Sequence, residues 1–137
     1  MKFIKILFFL LTLNSFAYAD KNMKIGSKGN VKDVSRVIKV VMYDNYYEPS
    51  SFQINAGETI KFEVENAGEL VHEFNIANKM MHIKHQPEME KMVENEILFA
   101  DSIDKDKMKK MAKKDKSMGH SHSNSVLLEP KQKGEII

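Results

Sequence analysis

Histidine and methionine are the residues of this chain best suited to chemistry, and most of them lie in one segment. Residues 80–122 contain seven of the ten methionines and four of the five histidines, whereas an even spread would place about five of these fifteen residues there. Imidazole nitrogens bind several transition metals, and thioether sulfurs prefer soft ions such as Cu(I). The chain has no cysteine, so its own residues supply no thiolate ligand and no disulfide. The segment therefore predicts a metal site of nitrogen and sulfur ligands.

Two groups within residues 80–122 are candidate ligand sets. The first combines neighbouring thioethers and imidazoles, a mixture suited to Cu(I) in an exported protein without thiols, at Met80, Met81, His82 and His85. Gln86 precedes Pro87, which disfavours helix, so we do not expect the two histidines to be fixed on one helical face. The second group, in a small polar loop, comprises Met118, His120 and His122. Its two imidazoles could reach one Cu²⁺ or Ni²⁺ ion, although short His/Ser loops are often only solvated.

The remaining methionines of the segment have helical spacing. We expect Pro87 in the first turn of one helix, and Asp101 or Ser102 as the cap of a second. Four methionines on these helices are expected to form ordinary apolar stripes: Met89, Met92, Met108 and Met111. The many lysines of residues 105–116 predict a solvated helix face, with a membrane-surface role as the weaker alternative.

The elements that must position these residues are β-strands. Residues 36–43 are rich in β-branched side chains, and apolar residues alternate with polar ones between residues 46 and 76. Two Asn-Ala-Gly-Glu turns interrupt that alternation, and further strands are predicted at residues 126–128 and 135–137. The period of two predicts half-buried strands of an antiparallel sheet, with three side chains facing the core: Ile60, Phe62 and Val64.

His72 lies among apolar residues just after the second of these turns. Taken alone, such a histidine is more often a satisfied core or rim residue than a metal ligand. Its neighbour Glu73 is not expected to form an acid/base pair with it, because adjacent strand residues point to opposite faces. The chain has no nucleophile elbow, phosphate-binding loop or His-Glu-x-x-His pair. We therefore do not expect an enzyme.

The order of these strand residues resembles the cupredoxin family, the small copper-binding β-sandwich proteins. The residues that carry the resemblance are Pro49, Phe52, Ile54, Gly57, Ile60, Phe62, Val64, Asn66, Gly68, His72, Glu73 and Phe74. Within the family, the likeness is strongest to periplasmic copper-resistance cupredoxins, which carry a Met/His-rich insertion followed by a segment like Gly134-Glu135-Ile136. The resemblance extends over roughly residues 37–137. It implies a mainly β fold, an antiparallel Greek-key β-sandwich with residues 80–122 as a partly helical insertion.

The chain departs from the family at the metal site. The family's blue-copper centre is a trigonal His₂Cys set with a weak axial Met, and only its first histidine has a counterpart here, His72. The resemblance thus implies a C-terminally incomplete sandwich that cannot build a blue centre alone. We expect a truncated or split cupredoxin, and the alternative is a variant that has given up the thiolate site. Expected partners are copper, a periplasmic copper donor or acceptor protein, or a complementary C-terminal chain.

The beginning of the chain predicts export. Residues 1–19 combine Lys2 and Lys5, a short apolar run and Ala17-Tyr18-Ala19, the pattern of a signal peptide cleaved before Asp20. The apolar run is too short to span a bilayer comfortably, with a retained anchor as the alternative. Residues 20–35 are expected to form a flexible leader, and residues 36–137 the domain. We expect a periplasmic or secreted protein without membrane contact after cleavage.

The net charge of the mature chain gives no support for a nucleic-acid partner. Of 21 basic residues, cleavage would remove two lysines, which leaves 19 basic and 19 acidic residues. A neutral mature chain gives no reason to expect nucleic-acid binding. The sequence thus predicts a periplasmic copper-binding protein that serves copper handling or tolerance. The alternative is a metal-free β-sandwich module that pairs with another chain through an open edge.

Overall fold

The structure, a computed structural model that describes residues 25–137, contains two β-sheets packed face to face. The predicted signal peptide and the first residues of the leader lie outside the described range. The elements follow the order β1 (Arg36–Met42), β2 (Tyr47–Glu48), β3 (Ile60–Asn66), β4 (His72–Asn75), α1 (Lys79–Glu94), α2 (Lys105–Ala112), β5 (Ser125–Leu128) and β6 (Lys133–Ile136). Short 3₁₀ turns span Val31–Asp33 and Lys116–Gly119.

The core between the sheets follows the predicted alternation along β3. Every second side chain of that strand is buried, while Lys61, Glu63 and Glu65 point away from the core. The other sheet supplies Phe74 and Leu128. Each large apolar side chain buried here contributes about 1.5–3 kcal/mol to folding. The core as a whole comprises Val40, Met42, Ile60, Phe62, Val64, Phe74, Leu128 and Ile136. The mainly β sandwich predicted from the sequence is therefore confirmed.

The prediction of purely antiparallel pairing is wrong at one place. One sheet has the order β2-β1-β3-β6, and the other pairs β4 with β5. Within the larger sheet β1 and β3 run parallel, from the pair Arg36 and Ile60 to the pair Met42 and Asn66. The reason is the connection: residues 43–59 return the chain to the end of the sheet where β1 began. Parallel neighbours need a crossover of this length, whereas a hairpin of a few residues would make them antiparallel.

The strand predicted within that crossover, ahead of the first Asn-Ala-Gly-Glu turn, is also mostly absent. Of this predicted strand, only Tyr47–Glu48 pairs with β1, and residues 49–59 form a loop. Pro49 has no amide hydrogen for a further ladder bond, which stops the pairing. Phe52 and Ile54 are 39% and 43% exposed, although the Phe52 ring centre lies 5.3 Å from that of the core residue Phe62.

The first helix of the Met/His-rich segment is longer than predicted. α1 begins after Asn78, whose side chain accepts a hydrogen bond from the amide of Met81, and continues through Pro87 to Glu94. The prediction of Pro87 in a first turn, with no helix before it, is wrong. Pro87 costs the helix one hydrogen bond to the carbonyl of Ile83. Both residues are exposed, so water can satisfy that carbonyl. α2 is capped by Asp104, and not by Asp101 or Ser102.

A second apolar core, distinct from the core between the sheets, joins the helices to the sandwich. Met92, Ile97 and Met118 are almost completely buried in it. Leu127 of β5 packs against it and so links it to the smaller sheet. The predicted apolar role of four methionines is confirmed, since this second core contains Met89, Met92, Met108 and Met111. The Lys116–Gly119 turn is thereby fixed next to β5.

The described part of the leader is held against the larger sheet. The amide of Gly29 donates to the carbonyl of Ile137 (3.0 Å), and that of Ser35 to the carbonyl of Thr59 (2.9 Å). Across residues 25–137, neither helix has the length and apolar character needed to cross a bilayer.

Candidate metal centre

Three histidines and one glutamate converge where α1 faces the loop before β5. His85, Glu88, His120 and His122 each offer a ligand atom, and these four atoms all lie within 4.8 Å of one another. The three imidazole rings form a triangle whose sides, measured between ring centres, are each 5.1 Å. Within the described range 25–137, this is the only such group of metal-binding side chains.

Local structure explains why these four side chains meet. His85 and Glu88 are three residues apart on α1, so they project from the same side of the helix. His120 follows the 3₁₀ turn with φ 45° and ψ 49°, the left-handed region that is uncommon for residues with a side chain. Such a backbone costs of order 1–3 kcal/mol and recurs at functional sites. Met118, buried in the second core, anchors the turn that holds His120 in place.

Glu73 of β4 is a fifth residue of the cluster and contacts it from the side of the sandwich. Its Oε2 lies 3.0 Å from Nε2 of His85, and its Oε1 lies 3.2 Å from Nε2 of His120. Glu88 lies on the other side, with Oε1 2.9 Å from Nε2 of His122. Glu88 oxygens are also 3.6 Å from Nδ1 of His85 and Nδ1 of His120. Two imidazoles thus lie between two carboxylates.

The electrostatics of the group favour positive charge. The side chains of Glu73 and Glu88 are 15% and 14% exposed, so both carboxylates are largely withdrawn from water. Burial alone would raise the pKa of Glu73. The close approach of His120 and Ser125 and the charges of His120 and His85 outweigh it and lower the pKa to about 2. Both carboxylates need a cationic partner at this depth.

His120 is the most informative member of the group. Its side chain is 4% exposed, and neither ring nitrogen makes a hydrogen bond of acceptable geometry. A buried polar atom left unpaired costs about 1–3 kcal/mol, and native structures contain few of them. An ion bound by Nδ1 of His120 would remove that cost for one nitrogen, and the other, Nε2, already lies 3.2 Å from the Glu73 carboxylate.

The spacing of the rings fits a single ion. For metal–nitrogen bonds of about 2.0–2.1 Å, the centres of imidazole rings around one ion lie about 5 Å apart at tetrahedral angles and about 4.5 Å apart at the right angles that Cu(II) prefers. The observed ring centres are 5.1 Å apart. The ligand atoms would have to move closer together, and His122 can supply most of that motion because its side chain is 33% exposed and on a loop. A groove of about 260 Å³, lined by Met81, His85, Glu88 and His122, gives access from solvent.

The structure brings together only part of the predicted ligand set. His85, His120 and His122 meet, although the sequence placed them in two groups. Met80 and His82 lie on exposed parts of α1 outside the cluster, and Met81 lines the groove. Met118 is 2% exposed within the second core, so its sulfur is occupied by apolar packing.

Sequence analysis missed both carboxylates of the site. Glu88 follows His85 by three residues, a spacing that would have pointed to it had a helix through Pro87 been predicted. Glu73 was considered only as a partner of His72. Neighbouring strand residues point to opposite faces, as predicted, so the Glu73 side chain points away from His72 and toward His85 and His120.

His72 lies apart from this cluster. Its Nε2 is 2.9 Å from Oδ1 of Asp44, which also accepts hydrogen bonds from the amides of Glu69 and Leu70. The hydrogen bond to His72 is the main cause that lowers the pKa of Asp44. A blue-copper set does not fit the residues present around His72, because the chain contains no cysteine.

Comparison with known proteins adds a family and two relatives. The family model described as cupredoxin-like domain matches residues 4–102. The chain is 38% identical over 117 residues to the copper-resistant cuproprotein CopI of Pseudomonas aeruginosa, a match covering 81% of this chain and 65% of that protein. It is 30% identical over 74 residues to the protein of the same name in Rubrivivax gelatinosus, covering 53% of this chain and 45% of that protein. The chain thus spans less than two thirds of either relative. No solved structure matches it.

Proposed function

Because this chain belongs to the cupredoxin-like domain family, we propose that it binds copper and serves copper handling or tolerance outside the cytoplasm. The observation that carries the proposal is the triangle of His85, His120 and His122, in which Nδ1 of the buried His120 ring has no hydrogen-bond partner. Two similar proteins named as copper-resistant cuproproteins support copper as the ion. The predicted signal peptide of residues 1–19 supports export to the periplasm or beyond.

Capture of the ion fits these residues better than electron transfer. A blue centre needs a thiolate, and this chain has no cysteine to supply one. Imidazoles and carboxylates need no reducing compartment to remain effective ligands. The groove beside His85 and His122 offers a route by which an ion could enter and leave. A donor or acceptor protein that exchanges copper through this groove is the partner we propose.

The second proposed partner is a separate polypeptide that pairs with the edge strand β6. Among the described residues 25–137, β6 pairs with β3 on one side and has no strand on the other. Mass spectrometry of the native exported protein tests this idea. A copurifying second chain is the expected result, and a protein that is purified without any partner chain would contradict it.

Calorimetric titration of the mature chain with Cu(II) tests the proposed function. We expect one tight site in the unaltered protein and its loss when His85, His120 and His122 are all replaced by alanine. The matched control is His82→Ala, which removes an exposed histidine of the same helix and should leave the tight site intact. Binding of copper no tighter than by free amino acids would end the proposal and favour a metal-free interaction module.

A further inference from the structure

We propose that the cluster is built for a divalent, oxidised ion, Cu(II), with an inner ligand set and an outer positioning carboxylate. The inner set is Nδ1 of His85, Nδ1 of His120, Nε2 of His122 and a carboxylate oxygen of Glu88. Glu73 positions two of the rings from outside and does not touch the ion. The inference rests on the proposed copper binding and specifies the ion's oxidation state, its ligand atoms and the absence of sulfur.

The two sides of the imidazoles determine which nitrogens face the ion. Nε2 of His85 is 3.0 Å from Glu73, the position of a carboxylate that accepts the second ring proton of a metal-bound histidine. Nε2 of His120 is 3.2 Å from the other oxygen of the same carboxylate, and a small rotation of the ring would let it donate there. The Nδ1 atoms of both rings face Glu88 at 3.6 Å. Nε2 of His122 reaches the same Glu88 carboxylate at 2.9 Å. Three ring nitrogens therefore surround one side of Glu88.

The charge of the site selects a divalent ion. Glu73 and Glu88 bring two negative charges into a site where each side chain is about 15% exposed, and neutral imidazoles add none. A divalent ion balances both carboxylates, whereas Cu(I) leaves one negative charge uncompensated in a poorly hydrated site. Buried ionic groups are tolerated when their charges are balanced and costly when they are not.

The chemistry of the ligands also favours Cu(II) over Cu(I). Cu(I) is held best by soft thioethers, whereas imidazole and carboxylate also suit Cu(II). Among the methionines near the cluster, Met89 and Met118 pack in the second core, and Met81 lies on the wall of the groove. Zn(II) accepts the same nitrogen and oxygen ligands, but a given site generally binds Cu²⁺ more tightly than Zn²⁺.

Electron paramagnetic resonance and competition titration on the full mature chain test this assignment. The Cu(II)-loaded protein should show couplings to three imidazole nitrogens, and its affinity for Cu(II) should exceed that for Zn(II). Cu(I), presented in competition with a chromogenic chelator, should bind at least tenfold more weakly than Cu(II). Replacement of the groove thioether, Met81→Leu, should leave both Cu(II) affinity and spectrum unchanged.

Two carboxamide variants separate the inner ligand from the positioning residue. Glu88→Gln should lower Cu(II) affinity by more than tenfold and change the copper spectrum, because a ligand atom is lost. Glu73→Gln should lower affinity by roughly 10–100-fold, as for other outer carboxylates, with three nitrogens still coupled to copper. Glu90→Gln, an exposed change on the same helix, is the control and should alter neither. Circular dichroism checks that each variant is folded.

The protonation state of the rings gives a readout that loss of packing alone would not change. In the diamagnetic Zn(II) form, long-range ¹H–¹⁵N spectra should show His85 and His120 carrying their proton on Nε2, with Nδ1 bound to the metal. Glu73→Gln should weaken that preference. Three results would each overturn the inference while leaving copper binding intact. They are metal bound to Nε2 of both rings, an unchanged Cu(II) affinity in Glu88→Gln, and a loss of Cu(I) binding in Met81→Leu. Failure to bind copper at all would instead refute the proposed function.

Discussion

Replacement of Met118 distinguishes a copper ligand from a buried anchor. Its side chain is 2% exposed and packs with Met92 and Ile97 in the second core. Truncation to alanine at such a position costs about 2–5 kcal/mol, because apolar contacts are lost and a cavity remains. Leucine has nearly the same volume and usually costs less than about 1.5 kcal/mol. We therefore expect Met118→Ala to destabilise the metal-free protein strongly and Met118→Leu to do so only slightly.

The same two variants have different expected effects on copper. Met118 anchors the turn that ends at His120, so the alanine variant should also weaken Cu(II) binding by loosening that turn. The leucine variant keeps the packing but removes the sulfur, so its Cu(II) affinity should match that of the unaltered protein. Urea denaturation of the metal-free protein gives the change in the free energy of unfolding, and calorimetric titration gives the affinity.

Two results would refute this reasoning about Met118. A loss of tenfold or more in Cu(II) affinity in Met118→Leu, with stability retained, would make the sulfur a ligand. A change below about 0.5 kcal/mol in Met118→Ala would show that the second core does not depend on this side chain. Met80→Leu, an exposed change in the same segment, is the matched control and should leave both quantities unchanged.

Three further predictions concern stability. Cu(II) at 100 times its dissociation constant should raise the free energy of unfolding by about 2.7 kcal/mol, a gain that the triple histidine variant should lack in thermal melts. Asn66→Ala should lower the free energy of unfolding, measured by urea denaturation, by at least about 2 kcal/mol. The reason is that the buried Asn66 amide donates to the carbonyls of Leu70 and Leu128 and accepts from the amide of Gly68. A loss below half of that value would contradict this prediction. The hydrogen bond from Lys105 is the main cause that lowers the pKa of Glu129 below its usual value of 4.5. The stabilisation from this interaction is therefore complete above pH 4.5 and is lost as the pH falls through the lowered pKa. Glu129→Gln should make the free energy of unfolding depend less on pH in this acidic range.

The sandwich could be predicted from local patterns because burial on one face imposes a period of two. The alternation along Ile60, Phe62 and Val64 identified β3 and its buried side. The parallel pairing of β1 with β3 could not be predicted in the same way, since a strand's own pattern does not record the direction of its neighbour. That direction depends on how residues 43–59 cross the sheet.

The site was harder to predict than the fold, because it is assembled from distant segments. Imidazoles at His85 and His122 were each recognised as candidate ligands, yet their convergence depends on the second core, which docks the turn before His120 against α1. The local rule that disfavours helix before Pro87 was outweighed by fifteen other helical residues of α1. Glu73 became recognisable only once β4 was placed beside the helix.

The most direct test of the account is a Cu(II) titration of five single histidine-to-alanine variants. Removal of His85, His120 or His122 should each weaken binding by at least tenfold, because each supplies one corner of the triangle. Removal of His72 or His82 should leave binding unchanged, since His72 is held by Asp44 and His82 lies on an exposed part of α1. Loss of binding in the His72 variant, with the three cluster variants unaffected, would contradict the central claim and place the copper at the other side of β4.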